Sequence, residues 1–115
     1  WESTDISSNL AGSLGYLDFK LDSKNGTIFK EGLQIIETNQ QKSIAIKMKS
    51  NADLKIYVAN DHSELGSAKY WANLSFQEVF IPLNKNTSLS GTKKLKISFS
   101  GKKNDLVEID YIKQK

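Results

Sequence analysis

Residues 94–99 read Lys-Leu-Lys-Ile-Ser-Phe, with polar and apolar side chains in strict alternation. Two related runs accompany them, Glu-Val-Phe-Ile-Pro-Leu at 78–83 and Val-Glu-Ile-Asp-Tyr-Ile at 107–112. A period of two places one face of a β-strand in the core and leaves the other face in water. The segment 84–91 between the first two runs is rich in Asn, Ser and Gly, which is typical of a turn. The last third of the chain therefore predicts a group of short strands joined by turns.

The preceding residues continue this pattern. Apolar residues alternate with polar ones in 17–21, 42–49 and 54–58, and turn residues follow at 22–26 and 51–53. Residues 60–68 are predicted to form a polar loop, and no segment keeps the spacing of an amphipathic helix. About eight or nine short strands with frequent turns indicate an all-β fold, an antiparallel β-sandwich of the jelly-roll type. We expect the following residues to point into its core: Ile44, Ile46, Leu54, Ile56, Leu95, Ile97, Phe99 and Ile109.

Length and composition limit the function classes. A chain of 115 residues is expected to be one domain spanning 1–115, and we expect a monomer. It has no cysteine, so it forms no disulfide and no thiolate site. No apolar run is long enough to cross a membrane, so no membrane insertion is expected.

The charge is mildly basic, with a net charge of +3. The lysines concentrate near the end of the chain, which indicates either solvated strand faces or contact with an anionic polymer. Arginine, the residue that suits bidentate recognition of phosphates and bases, is absent, so nucleic acid is not an expected partner.

The sequence offers little for catalysis. Its single histidine, His62, is not accompanied by a Gly-x-Ser-x-Gly motif, and no glycine-rich phosphate loop is present. We therefore expect the protein not to be an enzyme, although a small glycan-active enzyme remains a possible alternative.

Aromatic residues beside polar loops suggest a sugar-binding site. Pyranose rings have apolar faces that stack on flat aromatic side chains, while their hydroxyl groups need polar partners. The adjacent Tyr70 and Trp71 are the best candidates for such a platform, and the alternative for Trp71 is a plug at the end of the core. Tyr16, at the start of a predicted strand, is a second candidate platform or a core residue. Asn104, in the loop before the last strand, offers both a donor and an acceptor.

The second half of the chain resembles carbohydrate-binding modules of families 6, 35 and 36. The resemblance rests on Trp71 followed, in order, by residues 76–79 (Phe-Gln-Glu-Val), 81–83 (Ile-Pro-Leu), 90–92 (Ser-Gly-Thr), 99–101 (Phe-Ser-Gly) and 109–112 (Ile-Asp-Tyr-Ile). It implies a galactose-binding-like β-sandwich that binds a polysaccharide or oligosaccharide without cleaving it. Such a module tethers a parent enzyme or surface protein to its glycan. The alternative is a structural or protein-interaction β-sandwich that has no sugar site.

The same resemblance implies contact of Asn104 with the sugar and a structural calcium ion held by Glu2 and Asp110. It also leads us to expect a module of a longer, multidomain parent protein. The lysine-rich composition without arginine suggests a bacterial source, and a module of this kind is expected to be secreted or displayed on the cell surface.

Overall fold

The structure, a computed structural model, describes residues 2–4, 6–7, 17–31, 43–60, 63–83 and 94–114. These residues form β-strands and no helix, which confirms the all-β prediction. No helix among them is therefore long and apolar enough to cross a membrane. The strands are β1 (Glu2–Thr4), β2 (Ile6–Ser7), β3 (Leu17–Leu21), β4 (Asn25–Glu31), β5 (Ser43–Ser50), β6 (Leu54–Ala59), β7 (Glu64–Tyr70), β8 (Asn73–Pro82), β9 (Lys94–Ser100) and β10 (Leu106–Gln114).

The strands form two antiparallel sheets. Sheet A has the order β1-β4-β9-β6-β7, and sheet B has the order β2-β3-β10-β5-β8. Because β1 and β2 follow each other in the chain but lie at the edges of different sheets, the N-terminal segment contributes to both layers. The two sheets pack face to face, which confirms the predicted β-sandwich.

The core lies between the sheets and contains every residue predicted to point inward. Their exposed fractions are 5% or less: Ile44, Ile46, Leu54, Ile56, Leu95, Ile97, Phe99 and Ile109. Ile97 on β9 lies in register with Ile28 on one side and Val58 on the other. The rings of Phe19 and Phe99 join the two sheets edge to face, with their centroids 5.4 Å apart.

Two predicted boundaries were wrong. The supposed polar loop at 60–68 is largely strand β7, and β8 begins at Asn73 rather than near residue 78. Strand β7 was missed because Gly66, Ser67 and Ala68 are too small to produce a clear hydrophobic alternation. At Gly66 a Cβ atom would collide with the carbonyl oxygen of Pro82 on sheet B, so a glycine permits the close approach of the two edge strands here.

The turn at 22–26 is shorter than predicted, because residues 25 and 26 already belong to β4. Pro82, which has no backbone N–H to donate to a neighbouring strand, is the last residue of the edge strand β8.

Candidate functional site

Four connections between the sheets meet at one end of the sandwich, which we name the loop end: residues 22–24, 51–53, 71–72 and 101–105. Hydrogen bonds join them. The Gly101 N–H donates to the Lys24 carbonyl (2.9 Å), and the Leu106 N–H donates to Asn51 Oδ1 (2.9 Å). The Ala72 N–H donates to Asp53 Oδ1 (2.8 Å). The loop end is therefore a surface whose connecting segments are cross-linked by hydrogen bonds.

Trp71 projects from this surface. Its side chain is 67% exposed, and the adjacent residue Ala72 is held by Asp53. The ring therefore does not plug the end of the core, the alternative considered from the sequence. A large exposed aromatic side chain on a hydrogen-bonded loop is available for stacking on a ligand.

Tyr70, the residue before Trp71, faces the opposite way. It is 3% exposed, and its hydroxyl accepts a hydrogen bond of 3.1 Å from the backbone N–H of Ser50, which is itself buried. Burial raises the pKa of Tyr70, and the hydrogen bond from Ser50 opposes this in part. The prediction that Tyr70 forms part of the sugar platform is therefore wrong, because its ring lies inside the protein. Its contact with Ser50 instead joins sheet A to sheet B beneath Trp71.

Asn104 lies at the same loop end as Trp71. Its φ angle is 75°, in the left-handed region that asparagine tolerates better than most residues. Its backbone N–H donates to the Leu21 carbonyl (2.8 Å), and Asp105 closes the turn by accepting from the Lys102 N–H (2.7 Å). The side chain of Asn104 is exposed. The structure thus brings Trp71 and Asn104 to one surface, whereas Tyr16 and His62 lie outside the described residues.

The proposed calcium ligands Glu2 and Asp110 belong to different sheets, in β1 and β10. Asp110 is the extra residue of a β-bulge, and its carboxylate lies 3.8 Å from the ammonium group of Lys47. Calcium needs six to eight oxygen ligands. Within the described ranges, no group of three His, Cys, Asp or Glu side chains could hold a metal ion. The described side chains therefore do not fit a calcium site by themselves, and calcium stays a prediction.

A second surface, which the sequence reasoning missed, lies on the outer face of sheet B. We name it the aromatic face, and it is formed by Phe76, Glu78 and Phe80 on β8, Lys47 and Lys49 on β5, and Glu108, Tyr111 and Lys113 on β10. Phe80 is 53% exposed. The alternation of Phe76, Glu78 and Phe80 with Gln77 and Val79 was a visible signal for it.

Charged side chains cover much of the aromatic face. The Lys49 ammonium lies 5.0 Å from the centroid of the Phe76 ring and 3.3 Å from Glu108. The Lys113 ammonium lies 4.1 Å from the centroid of Tyr111. The Tyr111 hydroxyl donates to the Glu78 carboxylate, and this hydrogen bond is the main cause that raises the pKa of Tyr111. These contacts engage the rings of Phe76 and Tyr111, whereas Phe80 is 53% exposed.

Solved structures that match this arrangement include carbohydrate-binding modules. A family 29 module matches with a TM-score of 0.66 at 12% identity, over 96% of this chain and 73% of that chain. The chain has the fold of a carbohydrate-binding module. A family 29 mutant complexed with mannohexaose matches with a TM-score of 0.66 at 10% identity, over 96% of this chain and 75% of that one.

A family 6 module from Clostridium stercorarium in complex with cellobiose has a TM-score of 0.67 at 16% identity, over 98% of this chain and 85% of that chain. Family 6 is one of the families that the sequence resembles. No protein-family model and no curated protein sequence matches the chain. At these identities the likeness concerns the β-sandwich fold.

Proposed function

We propose that the chain is a non-catalytic carbohydrate-binding module that binds a polysaccharide or oligosaccharide through Trp71. The observation that carries this proposal is the 67% exposed indole ring on the cross-linked loop end. The exposed ring presents a flat apolar surface, and the apolar face of a sugar would cover it. The fold shared with carbohydrate-binding modules supports the same function.

Binding at the loop end combines stacking with hydrogen bonds. The ring of Trp71 stacks on the apolar face of a pyranose, and the exposed amide of Asn104 offers a donor and an acceptor to its hydroxyl groups. The backbone on both sides of Trp71 is already fixed, by Tyr70 in the core and by the hydrogen bond from Ala72 to Asp53. Binding therefore orders few additional groups, which favours affinity.

The loop end is a better candidate than the aromatic face for this role. On the aromatic face, lysine ammonium groups lie over the rings of Phe76 and Tyr111, and the hydroxyl of Tyr111 is bonded to Glu78. A sugar would have to displace these contacts. No described cation lies over the ring of Trp71, so a sugar can approach it directly.

The biological consequence of binding is tethering. A module that holds a parent enzyme or surface protein near its glycan raises the local concentration of substrate without doing chemistry itself. This role agrees with a secreted or surface-displayed bacterial protein. A structural or protein-interaction module is the competing function, and Trp71 would then contact a protein.

Affinity electrophoresis through gels that contain single polysaccharides tests the proposal. We expect at least one polysaccharide to retard the wild-type protein and Trp71→Ala to abolish most of that retardation. Phe80→Ala is the matched control, because it also removes an exposed aromatic ring but from the aromatic face. If Phe80→Ala removes the retardation and Trp71→Ala does not, the site lies on the aromatic face. Absence of retardation by every neutral and acidic polysaccharide would contradict glycan binding.

A further inference from the structure

On the outer face of sheet A, two lysines lie directly opposite each other on neighbouring strands. Lys55 on β6 and Lys69 on β7 are cross-strand partners, and both are exposed. They point outward because they alternate with the buried residues Leu54, Ile56 and Tyr70. Like charges directly opposite each other destabilise a sheet. The repulsion between Lys55 and Lys69 therefore lowers the stability of the folded protein.

Among the described residues, no carboxylate forms an ion pair with Lys55 or Lys69. The two ion pairs found in the described part of the chain, Lys47–Asp110 and Lys49–Glu108, both lie on the aromatic face of the other sheet. Glu64 is also on β7 but at its far end, in register with Ala59. Two lysines of sheet B, Lys47 and Lys49, are thus paired with carboxylates, whereas Lys55 and Lys69 have no described carboxylate within ion-pair distance. Local features that cost stability without compensation are typical of functional sites.

The surroundings of the pair contain the other parts of a sugar site. The ammonium group of Lys55 lies 5.1 Å from the centroid of the Tyr57 ring on the same face. Tyr57 is in register with Ser67 on one side and Ser98 on the other. The serine hydroxyl groups and the lysine ammonium groups match the hydroxyls and the anionic group of an acidic sugar, while the exposed ring of Trp71 supplies the stacking surface.

This surface continues into the loop end. Lys69 is the penultimate residue of β7 and lies two positions before Trp71, where the strand leads into the loop end. We propose that the glycan bound at Trp71 is acidic, and that Lys55 and Lys69 bind its carboxylate or sulfate groups. The inference rests on the proposed glycan-binding function and assigns its ligand class. An acidic glycan is favoured over nucleic acid because the chain lacks arginine and shares its fold with carbohydrate-binding modules.

The test compares Lys55→Gln/Lys69→Gln with Lys20→Gln/Lys30→Gln, a control that removes the same charge from exposed positions elsewhere. The probes are polygalacturonate and a sulfated glycan as acidic polymers, glucomannan as a neutral polymer, and a single-stranded oligonucleotide. We expect the wild type to bind an acidic polymer, with affinity that falls as salt rises. The Lys55/Lys69 variant should bind it at least about tenfold more weakly, since charge-assisted contacts are being removed, and the control should bind normally. Circular dichroism melting should find both double variants folded.

Retardation by the neutral polymer alone would overturn the ligand class while leaving glycan binding intact. Equal acidic-polymer binding by both double variants would overturn the assignment of Lys55 and Lys69 as the binding residues. Binding of the oligonucleotide as tightly as the acidic glycans would also overturn the ligand class, by indicating general attraction of polyanions. Failure of every glycan to bind the wild type would refute the proposed function itself and is distinguishable from these results. The relative affinities for polygalacturonate and the sulfated glycan identify the anionic group.

Discussion

Tyr70→Phe removes one oxygen atom from the hydrogen bond that joins the two sheets below the loop end. The ring stays and fills the same space, but the Ser50 N–H loses an acceptor 3.1 Å away. Both residues are buried, Tyr70 at 3% exposure and Ser50 at 4%. An unsatisfied buried donor costs about 1–3 kcal/mol. For a domain of this size, that loss lowers the melting temperature by roughly 4–15 °C.

Urea unfolding followed by circular dichroism measures this loss. Tyr57→Phe is the control, since Tyr57 lies on the outer face of sheet A and no hydrogen bond of its hydroxyl is found among the described residues. We expect the control to change the free energy of unfolding by less than about 0.5 kcal/mol. If Tyr70→Phe has an equally small effect, the hydrogen bond to Ser50 does not stabilise the contact between the sheets.

The pH dependence of the free energy of unfolding, compared between the wild type and Tyr70→Phe, gives a second check. Burial raises the pKa of Tyr70 above its ordinary value of 10.0. A raised folded-state pKa adds stability that is fully present below pH 10 and is lost as pH rises through the folded value. The free energy of unfolding of the wild type should therefore exceed that of Tyr70→Phe by a constant amount below pH 10. This difference should shrink at higher pH.

Three further predictions concern the core, the sheet edges and calcium. Ile97→Ala should reduce the free energy of unfolding by about 2–5 kcal/mol because Ile97 is fully buried, and a loss below about 1 kcal/mol in urea titration would contradict its core position. Gly66→Ala should lower the melting temperature because its Cβ would meet the Pro82 carbonyl, and an unchanged value would mean that the edge strands lie further apart. If Glu2 and Asp110 help to hold calcium, the ion should raise the melting temperature relative to EDTA; equal values, with no metal by elemental analysis, would leave calcium unsupported.

Most of the sandwich could be predicted because its central strands carry strong alternation. In β9, Leu95, Ile97 and Phe99 define the buried face without help from other strands. Strand β7 could not be predicted in this way, because Gly66 and Ala68 contribute little apolar surface and a neighbouring bulge shifts its register against β6.

The candidate site was predicted only in part, since the sequence places Tyr70 and Trp71 together without saying which one faces water. Recognition of β7 as a strand would have separated them, because adjacent strand residues point to opposite faces. The cross-strand pairing of Lys55 with Lys69 depends on the register between β6 and β7. The alternation of side chains within one strand does not determine that register. The pairing of Tyr111 with Glu78 likewise depends on strands distant in sequence.

Trp71→Ala, measured in parallel for glycan retardation and for thermal unfolding, tests the central claim most directly. We expect retardation by the bound polysaccharide to be largely lost, while the melting temperature stays close to the wild-type value because the ring is 67% exposed. Removal of a buried Trp side chain would instead cost about 3–5 kcal/mol. A Trp71→Ala protein that is strongly destabilised and still binds the glycan normally would contradict the proposed site.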